Sequence, residues 1–433
     1  MGGERRGVPK RILMALLMVA AIPGCGGPAG KSPLVTTTPA GETLERSGVM
    51  LGGLDLGDLN GDGRLDIVVA EIFSEDGPPF EGFVTVILQS SAGAFAVGVT
   101  YPAWLSASEV HIGDVDADGA ADVVVGSWST DTIRSDRLTV LRGDGAGRLV
   151  DGGFVEVPMR LEDFELADLD GDGRPDIVAT GNPSTVVLMN SAANPGTFGA
   201  MQLIDQRAES VDVGDLDGDG APDFALNRGA VTTTARVYLQ DEGWFELDQD
   251  LDTGGENRAV RIANLDEDGY PDLIVGNSIG SAEAERRPRL AVFRQEADAM
   301  AAPVFRMPTQ HPSDEWPERR PTGIAIADFN ADGRLDVAAI AGKLDTVEEG
   351  FYPKFRFKTH VAVFRQSADG TLAAPAQYLI HEDVEDLAAA DLNGDGLPDL
   401  AVSGDTVSIL FNDPAAPGTF LSPVPVGTGA VER

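Results

Sequence analysis

The chain has 433 residues, a hydrophobic share of 42% and a formal net charge of −38. This is enough apolar material for a large core or a repeat array, and it argues against wholesale disorder. The charge excludes nucleic acid as a partner, because a phosphate backbone would be repelled, and favours cations. With 52 glycines and 27 prolines, short strands joined by turns are favoured over long helices.

In chain order, the first residues carry Arg5, Arg6, Lys10 and Arg11, followed by the apolar run Ile12 to Ile22. A basic segment before an apolar run too short to span a bilayer reads as a signal peptide. The next residues, Ile22-Pro23-Gly24-Cys25, resemble a bacterial lipobox. That resemblance implies cleavage before Cys25 and lipidation of its thiol. With Gly26 rather than an aspartate following, it implies anchorage in the outer membrane, on the periplasmic side or at the cell surface. The alternative is a free cysteine after an ordinary signal peptide. Cleavage removes Glu4 and four bases, taking the net charge from −38 to −41. Residues 1–24 are therefore assigned to the signal peptide, 25–47 to the lipidated cysteine and a flexible tether, and 48–433 to the folded domain. Cys25 is the single cysteine, so no disulfide can staple the fold within one chain.

A nine-residue motif then recurs seven times: DLNGDGRLD, DVDADGAAD, DLDGDGRPD, DLDGDGAPD, NLDEDGYPD, DFNADGRLD and DLNGDGLPD. Successive copies start 56, 54, 47, 49, 64 and 63 residues apart. Before each copy apolar residues alternate with period two, as in Leu54 and Leu56 or Val260 and Ile262, so a strand leads into each loop. After each copy comes a short apolar run such as IVVA or LIVG, a strand buried on both faces. A third strand (VTVIL, LTVLR, VAVFR) and a fourth (PGTFGAMQL) complete each unit. Such a meander cannot bury both faces alone, and radial stacking solves that problem. The expected fold is all-β: a seven-bladed β-propeller of four-stranded antiparallel blades. The units resemble FG-GAP (VCBS-type) repeats, the blades of integrin α-subunit propellers and of many bacterial exported proteins. The stretch PLVTTTPAG looks like an extra strand, expected at the closure between the first and last blades.

Hard cations such as calcium take six to eight oxygen ligands, and alternate residues of a tight loop can point oxygens inward. Positions 1, 3, 5 and 9 of each motif offer side-chain oxygens, and position 7 its carbonyl. Glycine at position 6 permits the sharp turn. The candidate ligands are Asp58, Asn60, Asp62, Arg64 and Asp66 in loop 1, and Asp114, Asp116, Asp118, Ala120 and Asp122 in loop 2. Loop 3 offers Asp168, Asp170, Asp172, Arg174 and Asp176, and loop 4 offers Asp215, Asp217, Asp219, Ala221 and Asp223. Loop 5 offers Asn264, Asp266, Asp268, Tyr270 and Asp272; with asparagine first it is expected to be among the weaker sites. Loop 6 offers Asp328, Asn330, Asp332, Arg334 and Asp336, and loop 7 offers Asp391, Asn393, Asp395, Leu397 and Asp399. Up to seven Ca2+ ions are expected, as the staple that replaces disulfides. An EF-hand is excluded, because position 12 (Val69, Val125, Ala179, Leu226, Val275, Ala339, Val402) is never an acid. Metal-free Asx turns are the competing account of the acids.

No catalytic residue is assigned. His111, His311, His360 and His381 show no zinc-site spacing, and no nucleophile elbow or phosphate loop stands in context. The connections that vary between repeats gather Trp104, Trp128, Trp316, Arg319, Arg320 and Tyr352 on the face opposite the cation loops. Aromatics and arginines on variable loops suit recognition, and the integrin resemblance implies binding on that face too. Local capping of the blades is the competing account. The expectation is a monomeric, non-enzymatic lipoprotein that binds a protein or polysaccharide at the envelope. A polysaccharide lyase or hydrolase, or a purely structural envelope component, is the alternative.

Overall fold

The computed structural model describes residues 34–37, 39, 43–46, 49–73, 81–96, 98–128, 136–229, 232–279, 287–296, 303–312, 322–346, 355–382 and 384–426. All lie in one compact unit, Pro33–Arg433. The signal peptide, Cys25 and the first tether residues fall outside them, as do Trp316, Arg319, Arg320 and Tyr352.

Seven antiparallel sheets follow one another along the chain, with no α-helix among the described residues. Blade 1 is Val49–Gly57, Asp66–Phe73, Glu81–Ile87 and Val99–Pro102; blade 2 is Ala107–Gly113, Asp122–Ser127, Asp136–Gly143 and Leu149–Val157. Blade 3 is Arg160–Ala167, Asp176–Asn182, Thr185–Asn190 and Phe198–Ile204; blade 4 is Ser210–Gly214, Asp223–Asn227, Thr234–Asp241 and Trp244–Asp252. Blade 5 is Glu256–Ala263, Asp272–Ile279, Arg287–Phe293 and Thr309–Pro312; blade 6 is Ile324–Ala327, Asp336–Thr346, Phe355–Phe364 and Ala376–Glu382. Blade 7 is Asp386–Ala390, Asp399–Ser403, Val407–Leu410 and Val424–Val426. This is the seven-bladed propeller that the repeat predicts. In each blade the acidic motif joins the first strand to the second. In an antiparallel meander, the connections from strand two to three and from strand four onward then lie at the opposite end.

The core is distributed as seven apolar clusters, each filling the gap between two neighbouring blades. The second strands supply most of it, because a strand with both faces covered must be apolar throughout: Ile67, Val68, Val69 and Ala70 are all at most 1% exposed. The apolar residue at loop position 2 plugs the gap toward the following blade. Val115 sits among blade 3 residues, Phe329 among blade 7 residues, and Leu392 closes the circle against blade 1.

The N-terminal stretch departs from expectation. Leu34–Thr37 pairs antiparallel with Thr43–Arg46 and adds to the outer edge of blade 1, parallel to Val99–Pro102, through the Thr37–Val99 pair. It therefore does not bridge the first and last blades. Each of those blades already has four strands from its own segment, so no fourth-strand position is left open at the closure. The ring closes by packing Leu51, Leu54 and Ile67 against Leu392, Ala401 and Ile409, and by Leu54 N donating to Asp386 Oδ2 at 3.1 Å.

Candidate metal centres

The loops share one internal geometry. In loop 1, Asp58 accepts from the amides of Asp62 (3.1 Å) and Gly63 (2.7 Å), and Asn60 Oδ1 also accepts from Asp62 N (3.0 Å). The same bonds recur in loops 2, 3, 6 and 7. Two positions require the left-handed backbone. Position 6 is always glycine, with φ between 80° (Gly63) and 94° (Gly269). Position 4 is left-handed in every loop as well, although Ala117 (φ 59°), Glu267 (φ 60°) and Ala331 (φ 55°) carry side chains there. Sequence reasoning missed this position because glycine is not invariant at it.

Position 9 is the buried anchor. Asp66, Asp122, Asp176, Asp223, Asp272, Asp336 and Asp399 are each at most 1% exposed. One oxygen of Asp66 accepts from Leu59 N (3.0 Å) at loop position 2, and the other from Gln89 N (2.7 Å) just past the third strand. Burial is the largest cause that pushes Asp122, Asp223, Asp336 and Asp399 up to about 6; neighbouring loop acids add to it and the amide donors oppose it.

In loops 2, 3 and 4, ligand atoms of positions 1, 3 and 9 lie within 4.8 Å of one another: Asp114, Asp116 and Asp122; Asp168, Asp170 and Asp176; Asp215, Asp217 and Asp223. Each of the other four loops has asparagine at position 1 or 3. The position 5 acids Asp118, Asp172 and Asp219 fall outside these groups. They accept instead from the position 7 amides of Ala120 (2.8 Å), Arg174 (3.0 Å) and Ala221 (2.7 Å). The side chains of Arg64, Arg174 and Arg334 fold back onto Asp62, Asp172 and Asp332.

An oxygen-rich, carboxylate-dominated donor set fits a hard cation such as calcium. A second observation agrees: Asn264 Oδ1 is a buried loop oxygen with no hydrogen-bond donor. Loop 5 fits less well. There the Arg294 guanidinium reaches Asp272 Oδ2 at 2.6 Å and lies 3.9 Å from Asp266, placing a resident positive charge among the acids.

On the opposite face, Arg137 lies between Trp104 and Phe154, its guanidinium carbon 4.4 and 4.1 Å from the ring centroids. It also donates to Glu156 Oε1 at 3.1 Å. Arg160 lies 5.2 Å over the Trp128 ring. Trp104 and Trp128 thus belong to neighbouring cation–π groups, and Phe154, 56% exposed, extends the first one outward.

The first strands also line a central cavity of about 640 Å3, which the sequence reading did not foresee. Its walls carry Glu109, His111, Asp163, Glu165, Arg261 and Asp386. Burial foremost, then neighbouring acids, raises Glu109 well above the usual carboxylate range and pushes Glu165 up to about 8. Burial works against a charged His111, yet Glu165, Asp55 and Asp163 outweigh it and raise its pKa. Four acids here join blades: Asp55 accepts from Ile112 N (2.8 Å), Asp163 from Val211 N (3.1 Å), Asp212 from Ile262 N (2.6 Å) and Asp386 from Leu54 N. The signal in the sequence was an acid three or five residues before the motif, within an otherwise apolar strand.

The family model described as an FG-GAP-like repeat matches residues 58–125, 114–179 and 168–226. Residues 58–226 thus carry FG-GAP-like repeats, and the same loop and blade recur through the rest of the seven-bladed ring. Among solved structures, that of the V. cholerae biofilm matrix protein Bap1 is similar at 14% identity, covering 92% of this chain and 82% of that one, with a TM-score of 0.39. No curated protein matches.

Proposed function

We propose that this protein is a calcium-stabilised, non-enzymatic propeller that presents a ligand-binding face at the bacterial envelope, anchored through lipidated Cys25. The observation that carries the calcium reading is the recurrence of one acidic loop in all seven blades, with its ninth residue buried. Like charges at that range, with the position 9 carboxylate withdrawn from water, favour a bound cation over an empty cluster. Binding to the folded chain alone then stabilises it by mass action. Addition of EDTA is expected to lower Tm sharply and calcium to restore it; an unchanged melt would sink the calcium reading. Recognition of a protein or polysaccharide is assigned to the face with the Trp104–Arg137–Phe154 stack and Trp128. Soluble Gly26–Arg433 on a glycan array and in pull-downs tests that assignment. A ligand so found should be lost in Trp104→Ala or Trp128→Ala at unchanged Tm.

The central cavity favours a second reading. A buried carboxyl group whose proton is held more tightly than usual suits general acid chemistry on a polysaccharide. Release of reducing or unsaturated ends by the wild type, abolished in Glu165→Gln, would establish it; no release across a polysaccharide panel would reject it.

A further inference from the structure

Each cation loop is held by the blade that follows it, through the same atom every time: the carbonyl of position 2. Val115 O accepts from Asn190 Nδ2 (2.7 Å), Leu169 O from Gln240 Nε2 (3.0 Å) and Leu216 O from Gln295 Nε2 (2.8 Å). Leu265 O accepts from Gln366 Nε2 (2.5 Å), Phe329 O from Asn412 Nδ2 (2.7 Å), and Leu392 O from Gln89 Nε2 across the closure. Only the junction of blades 1 and 2 differs. There Gly143 stands where the others have an amide side chain, and Gly147 N donates to Leu59 O at 3.1 Å instead.

These six amide residues all sit at or just past the end of a third strand, and the same residue serves its own loop too. The backbone N–H donates to position 9 of that loop, as Asn190 N does to Asp176 (2.7 Å) and Gln240 N to Asp223 (2.8 Å). The side-chain NH2 also reaches the position 8 carbonyl in four blades: Pro175 (3.0 Å), Pro222 (3.3 Å), Leu335 (3.3 Å) and Pro398 (3.0 Å). One residue therefore spans two consecutive loops, and five of the six are at most 5% exposed. The position 2 side chain plugs the same interface.

From this we propose that the seven loops form one coupled ring, in which these amides are positioning residues that make cation uptake by one loop favour uptake by its neighbour. The proposal rests on the calcium reading above. The physical basis is shared ordering: a cation that fixes positions 1, 3 and 9 of one loop fixes the carbonyls that its two amides hold, so less conformational freedom remains to be lost next door. Reciprocity follows, since coupling free energy is the same in both directions. The junction at Leu59 has no side-chain bridge and is the weak link of the ring.

The test is a calcium titration of the soluble full ring by calorimetry, with Gln240→Leu cutting the tie between loops 3 and 4. The wild-type isotherm is expected to be steeper than independent sites allow. In the variant it should flatten, with the midpoint for the affected sites raised about fivefold or more. A purely structural amide would lower Tm equally with EDTA and with calcium and leave the isotherm unchanged, which would overturn the proposal. Wild-type uptake that fits independent sites would overturn it as well, while leaving the calcium reading intact. Absence of any uptake would remove both. Asn412→Leu, at the junction of blades 6 and 7, repeats the comparison if Gln240→Leu does not fold.

Discussion

Position 4 shows how single residues set the loop's cost. A side chain in the left-handed region is disfavoured by about 1 to 2 kcal/mol, and only part of this is offset by the greater unfolded-state entropy of glycine. Ala331→Gly and Glu267→Gly are therefore expected to stabilise the protein by up to about 1 kcal/mol, read as a higher urea midpoint at constant slope. A lower midpoint would show that the backbone at these positions is not strained. Loop 5 is special for a second reason. Arg294 already neutralises Asp272, so Arg294→Met should tighten calcium uptake at one site, visible as a shifted fraction of the binding isotherm. An isotherm identical to wild type would mean that the guanidinium does not compete with the ion.

At the scale of elements, the hairpin of Leu34–Thr37 and Thr43–Arg46 is an addition to a blade that is already complete. Its hold is local: Thr37 N donates to Gly98 O at 2.9 Å, and buried Thr100 donates to Thr36 at 2.8 Å. Removing residues 34–46 should leave the seven blades closed and calcium stoichiometry unchanged, with Tm lowered by about a few degrees. Loss of the cooperative transition would instead make the hairpin part of the ring's closure. The strands themselves were legible because their signals are local. Alternation marks the first strand, a continuous apolar run the second, and the acidic motif fixes the turn between them. The hairpin's destination was not legible, since any unpaired strand edge offers the same hydrogen-bonding groups.

For the whole molecule, the buried acids of the central cavity set a pH dependence, to which the position 9 acids of the metal-free loops add in the same sense. Glu165 binds its proton more tightly folded than unfolded, from the ordinary 4.5 up to about 8. Its contribution is present below 4.5 and lost as pH rises to 8; His111, also raised, acts in the same sense. Asp55, Asp163, Asp212 and Asp386 face these groups, and Arg261 stays charged throughout. In EDTA, Tm should rise as pH falls from 8 toward 5, and Glu165→Gln should flatten that profile. A wild-type Tm that falls over this range would refute the assignment.

The sequence by itself determined the blade count, the strand order within each blade and the residues of the seven loops, because each repeat writes its pattern within about sixty residues of chain. Period, alternation and turn chemistry need no knowledge of what lies across the ring. Only the tertiary structure decided which atoms neighbouring blades share. Residues 55, 109, 163, 261 and 386 line one cavity because the blades are radial, and Gln89 meets Leu392 because the ring closes. Contacts of that separation depend on the angle between blades, a property of packed side chains that no local stretch encodes.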